Sequence, residues 1–136
     1  MDKTALLSAA DNQLPALRYA VELQKTAASV GFDWPNVDGV IAKIHEELDE
    51  VAAELDDANP EKLQEEIGDL LFAITNLARH VKVDPQRALE GCNQKFFRRF
   101  HYIETQIISQ GKSLEKASLS ELDALWDEAK ENEKKR

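Results

Sequence analysis

Five carboxylates set the chemistry this sequence can attempt. Glu47, Glu50 and Glu54 are spaced i, i+3, i+7, and Glu66 and Asp69 are spaced i, i+3. On a helix, residues at these spacings share a face. If two such helices meet along those faces, the carboxylates converge. Converging carboxylates repel unless they hold a proton or a cation. All-oxygen donors suit a hard cation, Mg²⁺ or Mn²⁺, and Mg²⁺ keeps waters and open positions that it shares with substrate phosphates. Iron sites in helical bundles use Glu-x-x-His. The residues three before His45, His80 and His101 are Ala42, Leu77 and Arg98, so that pattern is absent.

Basic and aromatic residues supply the complement. Lys95 and Arg99 are i, i+4, and Lys130 follows Trp126 by one turn. A cation with basic side chains at its rim suits a polyphosphate. Trp34 or Trp126 could stack on a base. Asn76 lies on the same shoulder of its helix as Glu66 and Asp69. Each group also has a plainer reading. Acidic residues on helices are often a solvated face, and Glu46, Asp49 and Glu65 point furthest out. Lys95 and Arg99 could form intrahelical pairs, and Trp126 sits on an apolar stripe. Cys92, on an inward-reading face, is expected to be a small core residue. The three histidines have no mutual ligand spacing, and a Ser-His-Asp or Cys-His triad has no support.

Helices must position these groups. Apolar residues recur at spacings of three and four throughout. The pattern predicts a helix over about 14–29, stopped at Gly31, and a second over about 36–57. The stripe of the second is Val37, Val40, Ile41, Ile44, Leu48, Val51 and Leu55. A third starts at Asn59-Pro60, an N-cap followed by proline at N1, with Leu63, Ile67, Leu70, Leu71, Ile74, Leu77, Ala78 and Val81 inward. A fourth runs from Asp84-Pro85 to about 109, with Leu89, Cys92, Phe96, Phe100, Ile103 and Ile107 inward. A fifth starts near Ser118, where Ser118 and Glu121 have capping-box spacing. Gly68, inside the third helix, predicts a close helix approach beside the carboxylates. Long helices with short connections make an all-α fold, an antiparallel four-helix-bundle-like arrangement of about five helices.

Composition narrows the partners. The chain has 136 residues and a formal net charge of −9, one domain's worth of sequence. So acidic a chain is a poor general binder of nucleic acid or of an anionic membrane. The N-terminal stretch does not read as a signal peptide, and one cysteine excludes an internal disulfide framework. The expectation is a cytoplasmic protein with an N-terminal extension over 1–13, a domain over 14–131 and a frayed charged tail over 132–136.

With these residues in view, the sequence resembles the MazG family of nucleoside triphosphate pyrophosphohydrolases. The family signature E-E-x-x-E, a gap, then E-x-x-D reads here Glu46-Glu47-Leu48-Asp49-Glu50 and Glu66-Ile67-Gly68-Asp69. The extended match includes GFDW at Gly31–Trp34, EEIGDLLF at Glu65–Phe72, NLARH at Asn76–His80 and NQKFFRRF at Asn93–Phe100. It is most similar to the second, catalytic domain of two-domain members, and the expectation is that the other domain is missing. The resemblance implies conversion of a nucleoside triphosphate to monophosphate and pyrophosphate, by Mg²⁺-dependent water attack between the α and β phosphates. It implies Glu47, Glu50, Glu66 and Asp69 as metal ligands, and Lys95 and Arg99 as triphosphate contacts. Trp126 and Lys130 would close the nucleotide pocket, with Asn76 and Trp34 as further substrate contacts. Glu46 or Glu47 would be the general base. It also implies at least a homodimer. Two other outcomes are a non-catalytic helical interaction module using its acidic face, and a specialised house-cleaning enzyme for one modified or deoxy nucleotide.

Overall fold

A computed structural model describes residues 5–135. Those residues are all-helical: α1 (Ala16–Ala28), α2 (Val37–Glu54), α3 (Pro60–His80), α4 (Pro85–Ser109) and α5 (Leu119–Lys134), with two short 3-10 turns. No strand occurs among the described residues.

The helix ends follow from local chemistry. Asn36 accepts from the Asp38 N–H, and Asn59 accepts from the N–H groups of Glu61 and Lys62, with Pro60 opening the helix. Such caps satisfy N–H groups that have no partner within the helix. Asp84 caps α4 through the Gln86 N–H. Ser118 and Glu121 form the expected capping box. Gly31 and Gly111 have φ of +90° and +75°, the left-handed stops that glycine adopts without penalty. At its C-terminus α5 continues through Lys134, so residues 132–134 are helical in place of the expected frayed tail.

The chain divides into two compact units, one ending at Ala88 and one beginning at Leu89. In the first, α2 and α3 form a helical hairpin, and α1 packs on α3. Val40, Val51 and Ala73 are buried. The α1–α3 contact includes a polar lock: buried Gln24 donates from Nε2 to the Phe72 carbonyl at 3.0 Å and to Thr75 Oγ1 at 3.1 Å. Arg18 of α1 pairs with the capping residue Asp84 at 3.1 Å. In the second unit, Ile103, Ile107 and Ala129 are buried. Side chains join α4 to α5 through Tyr102 with Glu128 and Phe96 with Trp126.

Four expectations need correction. Cys92 is exposed, not core. Only the C-terminal half of the α4 stripe is covered, for Leu89, Phe96 and Phe100 stand exposed. On the hairpin, Ile41, Leu48 and Leu55 of α2 and Ile67, Leu71 and Ile74 of α3 are also exposed. Periodicity shows which face seeks cover, but not whether the same chain supplies it. Finally, a Cβ at Gly68 would meet nothing within 4 Å, so the close approach expected there is not found among the described residues.

Candidate metal centre

The α2–α3 hairpin brings the carboxylates together. Oxygens of Glu47, Glu66 and Asp69 lie within 4.8 Å of one another. Glu47 is 5% exposed, Glu66 is half-buried, and Asp69 is exposed. Glu50 stands beside them, near enough to Glu66 and Glu47 for its proton to be shared. Its pKa is raised to about 7, first by the hydrogen bond to Glu66 and then by the negative charge of Glu47. Glu54, a turn further on, pairs with Lys62 at 3.8 Å.

Two oxygens in this cluster, Glu47 Oε2 and Glu66 Oε2, are buried and have no hydrogen-bond partner among the described residues. A buried carboxylate oxygen left unpaired is costly, and a cation would satisfy both. Opposite ligands of an octahedral Mg²⁺ lie about 4.2 Å apart. The 4.8 Å spread closes to that with small side-chain movements. The donor set is all oxygen, as a hard cation prefers.

Lys43 is a residue the sequence reading passed over. Its ammonium lies 3.0 Å from Glu47 and 3.6 Å from Glu46. The hydrogen bond to Glu47 raises its pKa, so it is a firm positive charge at the edge of the cluster. The i, i+4 spacing of Lys43 and Glu47 was the available signal. Glu46 itself is exposed and outside the cluster.

The remaining candidates of the first unit form a second group. Asp33 Oδ1 accepts from the Trp34 N–H at 2.8 Å and from Arg79 at 2.5 Å, and pairs with His80 Nε2 at 2.9 Å. Asn76 Oδ1 accepts twice from Arg79, at 3.1 and 2.8 Å. Asn76 thus holds Arg79, and Arg79 holds the GFDW loop against the end of α3. The Arg79 hydrogen bond is the largest cause that lowers the Asp33 pKa, to about 2.

Lys95, Arg99, Trp126 and Lys130 belong to the second unit. Arg99 does not make an intrahelical pair. It binds Glu133 of α5 at 2.9 Å, while its guanidinium lies 5.3 Å from the centre of the Trp126 ring. Arg98 takes the other oxygen of Glu133 at 2.7 Å. Trp126 also meets Phe96, with ring centres 5.7 Å apart. Lys95 and Lys130 are exposed. Glu133 is the second residue the sequence reading missed, because it lies in the stretch taken for a frayed tail.

A helical hairpin that gathers four carboxylates defines a class of acidic, cation-ready all-α domain. Residues 36–103 match the family model of the MazG nucleotide pyrophosphohydrolase domain, and the chain belongs to that family. It is 44% identical over 117 residues to the nucleoside triphosphate pyrophosphohydrolase/pyrophosphatase MazG of Thermotoga maritima, covering 86% of this chain and 45% of that protein. It is 42% identical over 122 residues to the nucleoside triphosphate pyrophosphohydrolase of Escherichia coli K12, covering 88% and 46%. A Bacillus subtilis protein of uncharacterised function, YabN, is 45% identical over 134 residues, 98% of this chain and 27% of that one. The chain therefore spans less than half the length of these relatives. No helix among the described residues is long and apolar enough to cross a membrane.

Proposed function

We propose that the chain hydrolyses nucleoside triphosphates to monophosphate and pyrophosphate, with Mg²⁺ as cofactor and Mn²⁺ as a substitute. The observation that carries this reading is the pair of buried, unpartnered oxygens on Glu47 and Glu66, within a cluster of four carboxylates. Family membership and the printed activity of the Thermotoga and Escherichia relatives support it.

Glu47, Glu50, Glu66 and Asp69 would hold the cation. Once bound, it would neutralise phosphate charge and help to orient or acidify water. The chain's own residues do the rest. Lys43 offsets the negative charge beside Glu47 and offers an ammonium to phosphate oxygens. Glu46 is the carboxylate left to accept a proton from water, because a carboxylate bound to a cation is a poorer base. Lys95 and Arg99 neutralise the triphosphate, and charge building on its oxygens in the transition state is where such donors count most. Trp126 and Lys130 line the nucleotide, and Trp34 offers a second aromatic surface. Asn76 contributes through Arg79.

The domain over 14–131 would work as a homodimer. The exposed apolar stripe of the hairpin, Ile41, Leu48, Leu55, Ile67, Leu71 and Ile74, is the surface a second copy would cover. Light scattering on the purified chain tests this, and a monomer at micromolar concentration would refute it.

The activity is tested by following pyrophosphate release from canonical and modified nucleoside triphosphates, with Mg²⁺ and with EDTA. Metal-dependent pyrophosphate with monophosphate as co-product is expected. Preference for modified nucleotides would give the enzyme a house-cleaning role. Orthophosphate with diphosphate would overturn the reading in favour of a different phosphatase reaction on this site, and no turnover would leave a helical interaction module.

A further inference from the structure

Gly39 lies in the first turn of α2, where the backbone is ordinary helix and suits any residue but proline past the first position. What glycine supplies there is space. A Cβ at Gly39 would fall 2.6 Å from Cε3, 3.0 Å from Cδ2 and 3.3 Å from Cζ3 of Trp34. The six-membered ring of the indole therefore rests on the backbone of α2. Real Cβ atoms essentially never come within 3.0 Å of another such atom, so any larger residue at 39 must displace the ring.

The ring is held from its other end as well. The Trp34 N–H donates to Asp33, and Asp33 is tied to Arg79 and His80. Yet Trp34 is 44% exposed. A rigid indole, seated on a helix and open to solvent, is a stacking platform for a flat ligand. Its position gives the ligand's class. Gly39, Lys43, Glu46 and Glu50 follow one another at i, i+4, i+7 and i+11 and share one face of α2. By helix geometry, Gly39 lies about 6 Å from Lys43 and about 12 Å from Glu47 along the axis. A nucleotide laid along that face meets indole first, ammonium next and carboxylates last, in the order base, phosphate, cation.

We infer that Gly39 is a positioning residue, whose missing side chain seats Trp34 as the platform for the nucleotide base. This rests on the pyrophosphohydrolase reading above. The test compares the full chain with Gly39→Ala, Trp34→Ala and the double variant, on one nucleoside triphosphate that the wild type hydrolyses. Inorganic tripolyphosphate serves as a competitive inhibitor without a base. Gly39→Ala is expected to raise KM about tenfold, the size of a lost base–aromatic stack, with kcat held within about twofold. The inhibition constant for tripolyphosphate should stay unchanged. The double variant should be no worse than Trp34→Ala, because both act through one ring.

An unchanged KM in Gly39→Ala overturns the inference. Equal weakening of nucleotide and tripolyphosphate overturns it too, for that marks a general disturbance of the site. Additive effects in the double variant would mean that Gly39 acts elsewhere. A wild-type chain that releases no pyrophosphate from any nucleotide overturns the activity reading and this inference together. Alanine favours the helix over glycine, so a failure to fold is not expected at this position.

Discussion

The Glu50 carboxyl on α2 stands close enough to the Glu66 carboxyl on α3 for the two to share a proton. Two carboxyls can share a hydrogen bond only if one of them carries a proton. The second negative charge that would remove that proton is opposed by Glu66 and by Glu47, and Glu50 accordingly titrates near 7. The hairpin thus holds either a proton or a cation at the point where its two helices present acid to each other.

The sign of the resulting pH dependence is fixed. The folded pKa of Glu50, about 7, lies above its ordinary value of 4.5. The folded chain therefore binds more protons than the unfolded chain between those values, and stability falls as pH rises through that window. Urea unfolding in EDTA between pH 4.5 and 8 should show this loss in the wild type. Glu50→Gln, which keeps a hydrogen-bond donor at every pH, should show less of it. Parallel curves for the two would remove Glu50 from the coupled cluster.

On the proposed ligand set, a metal would replace the proton in the same place. Mg²⁺ should raise the Tm of the wild-type chain, and more strongly at pH 8 than at pH 6, where a proton must first leave. Glu50→Gln and Asp69→Asn should abolish that rise and reduce turnover by at least about 100-fold, with helix content by circular dichroism unchanged. Near-wild-type rates in either variant would refute the ligand assignment.

The carboxylate cluster was legible because helix spacing converts directly into a shared face: Glu47 with Glu50, and Glu66 with Asp69. The caps at Asn36, Asn59 and Ser118 were legible for a similar reason, since each bond spans two or three residues. What the spacing did not carry is the depth of each face. Glu47 is buried while its neighbour Leu48 is exposed, the reverse of what hydrophobicity alone predicts. The seat of Trp34 on Gly39 was equally hidden. Gly68, whose place in α3 suggested a close approach, has open space around it: a sequence shows that a side chain is missing but not what occupies the gap. Lys43 and Glu133 were overlooked among many charges, as their meaning depends on which partner the fold delivers.

Asp33 holds the GFDW loop through charge, and its contribution has the opposite pH sign. Its folded pKa is lowered to about 2 from 3.8, so the stabilisation is fully present above 3.8 and is lost as pH falls through 2. After allowance for solvent screening, Asp33→Asn should cost about 1 kcal/mol at pH 7. The difference from wild type should shrink below pH 3.8. Trp34 should become more mobile, seen as lower fluorescence anisotropy in a Trp126→Phe background. A cost that does not change from pH 7 to pH 3 would mean that Asp33 acts only through packing.

Ile107 on α4 is fully buried, at 0% exposure. Its methyl groups have no solvent to relax into, so Ile107→Val should cost about 1 kcal/mol and Ile107→Ala about 2–5 kcal/mol of unfolding free energy. Phe97, exposed on the same helix, should tolerate alanine far better in the monomeric state. Equal costs at the two positions in denaturant titrations would contradict the burial pattern of this unit.

Glu133 holds the guanidinium of Arg99 beside Trp126, and it holds Arg98 with its other oxygen. If Arg99 is a triphosphate contact, substrate must compete with Glu133 for it. A triphosphate offers more negative charge than a carboxylate, so the exchange is favourable but costs the existing pair. Glu133→Gln removes that competition while keeping the shape of the side chain. It should lower KM for the nucleotide about two- to fivefold, with the largest effect at low salt, where the competing charges are least screened. Arg99→Ala should raise KM and also lower kcat, since donors aimed at phosphate oxygens act most strongly in the transition state. In the double variant, the benefit of Glu133→Gln should vanish. A KM that rises in Glu133→Gln would mean that the pair builds the α4–α5 arrangement and that Arg99 does not leave it for substrate.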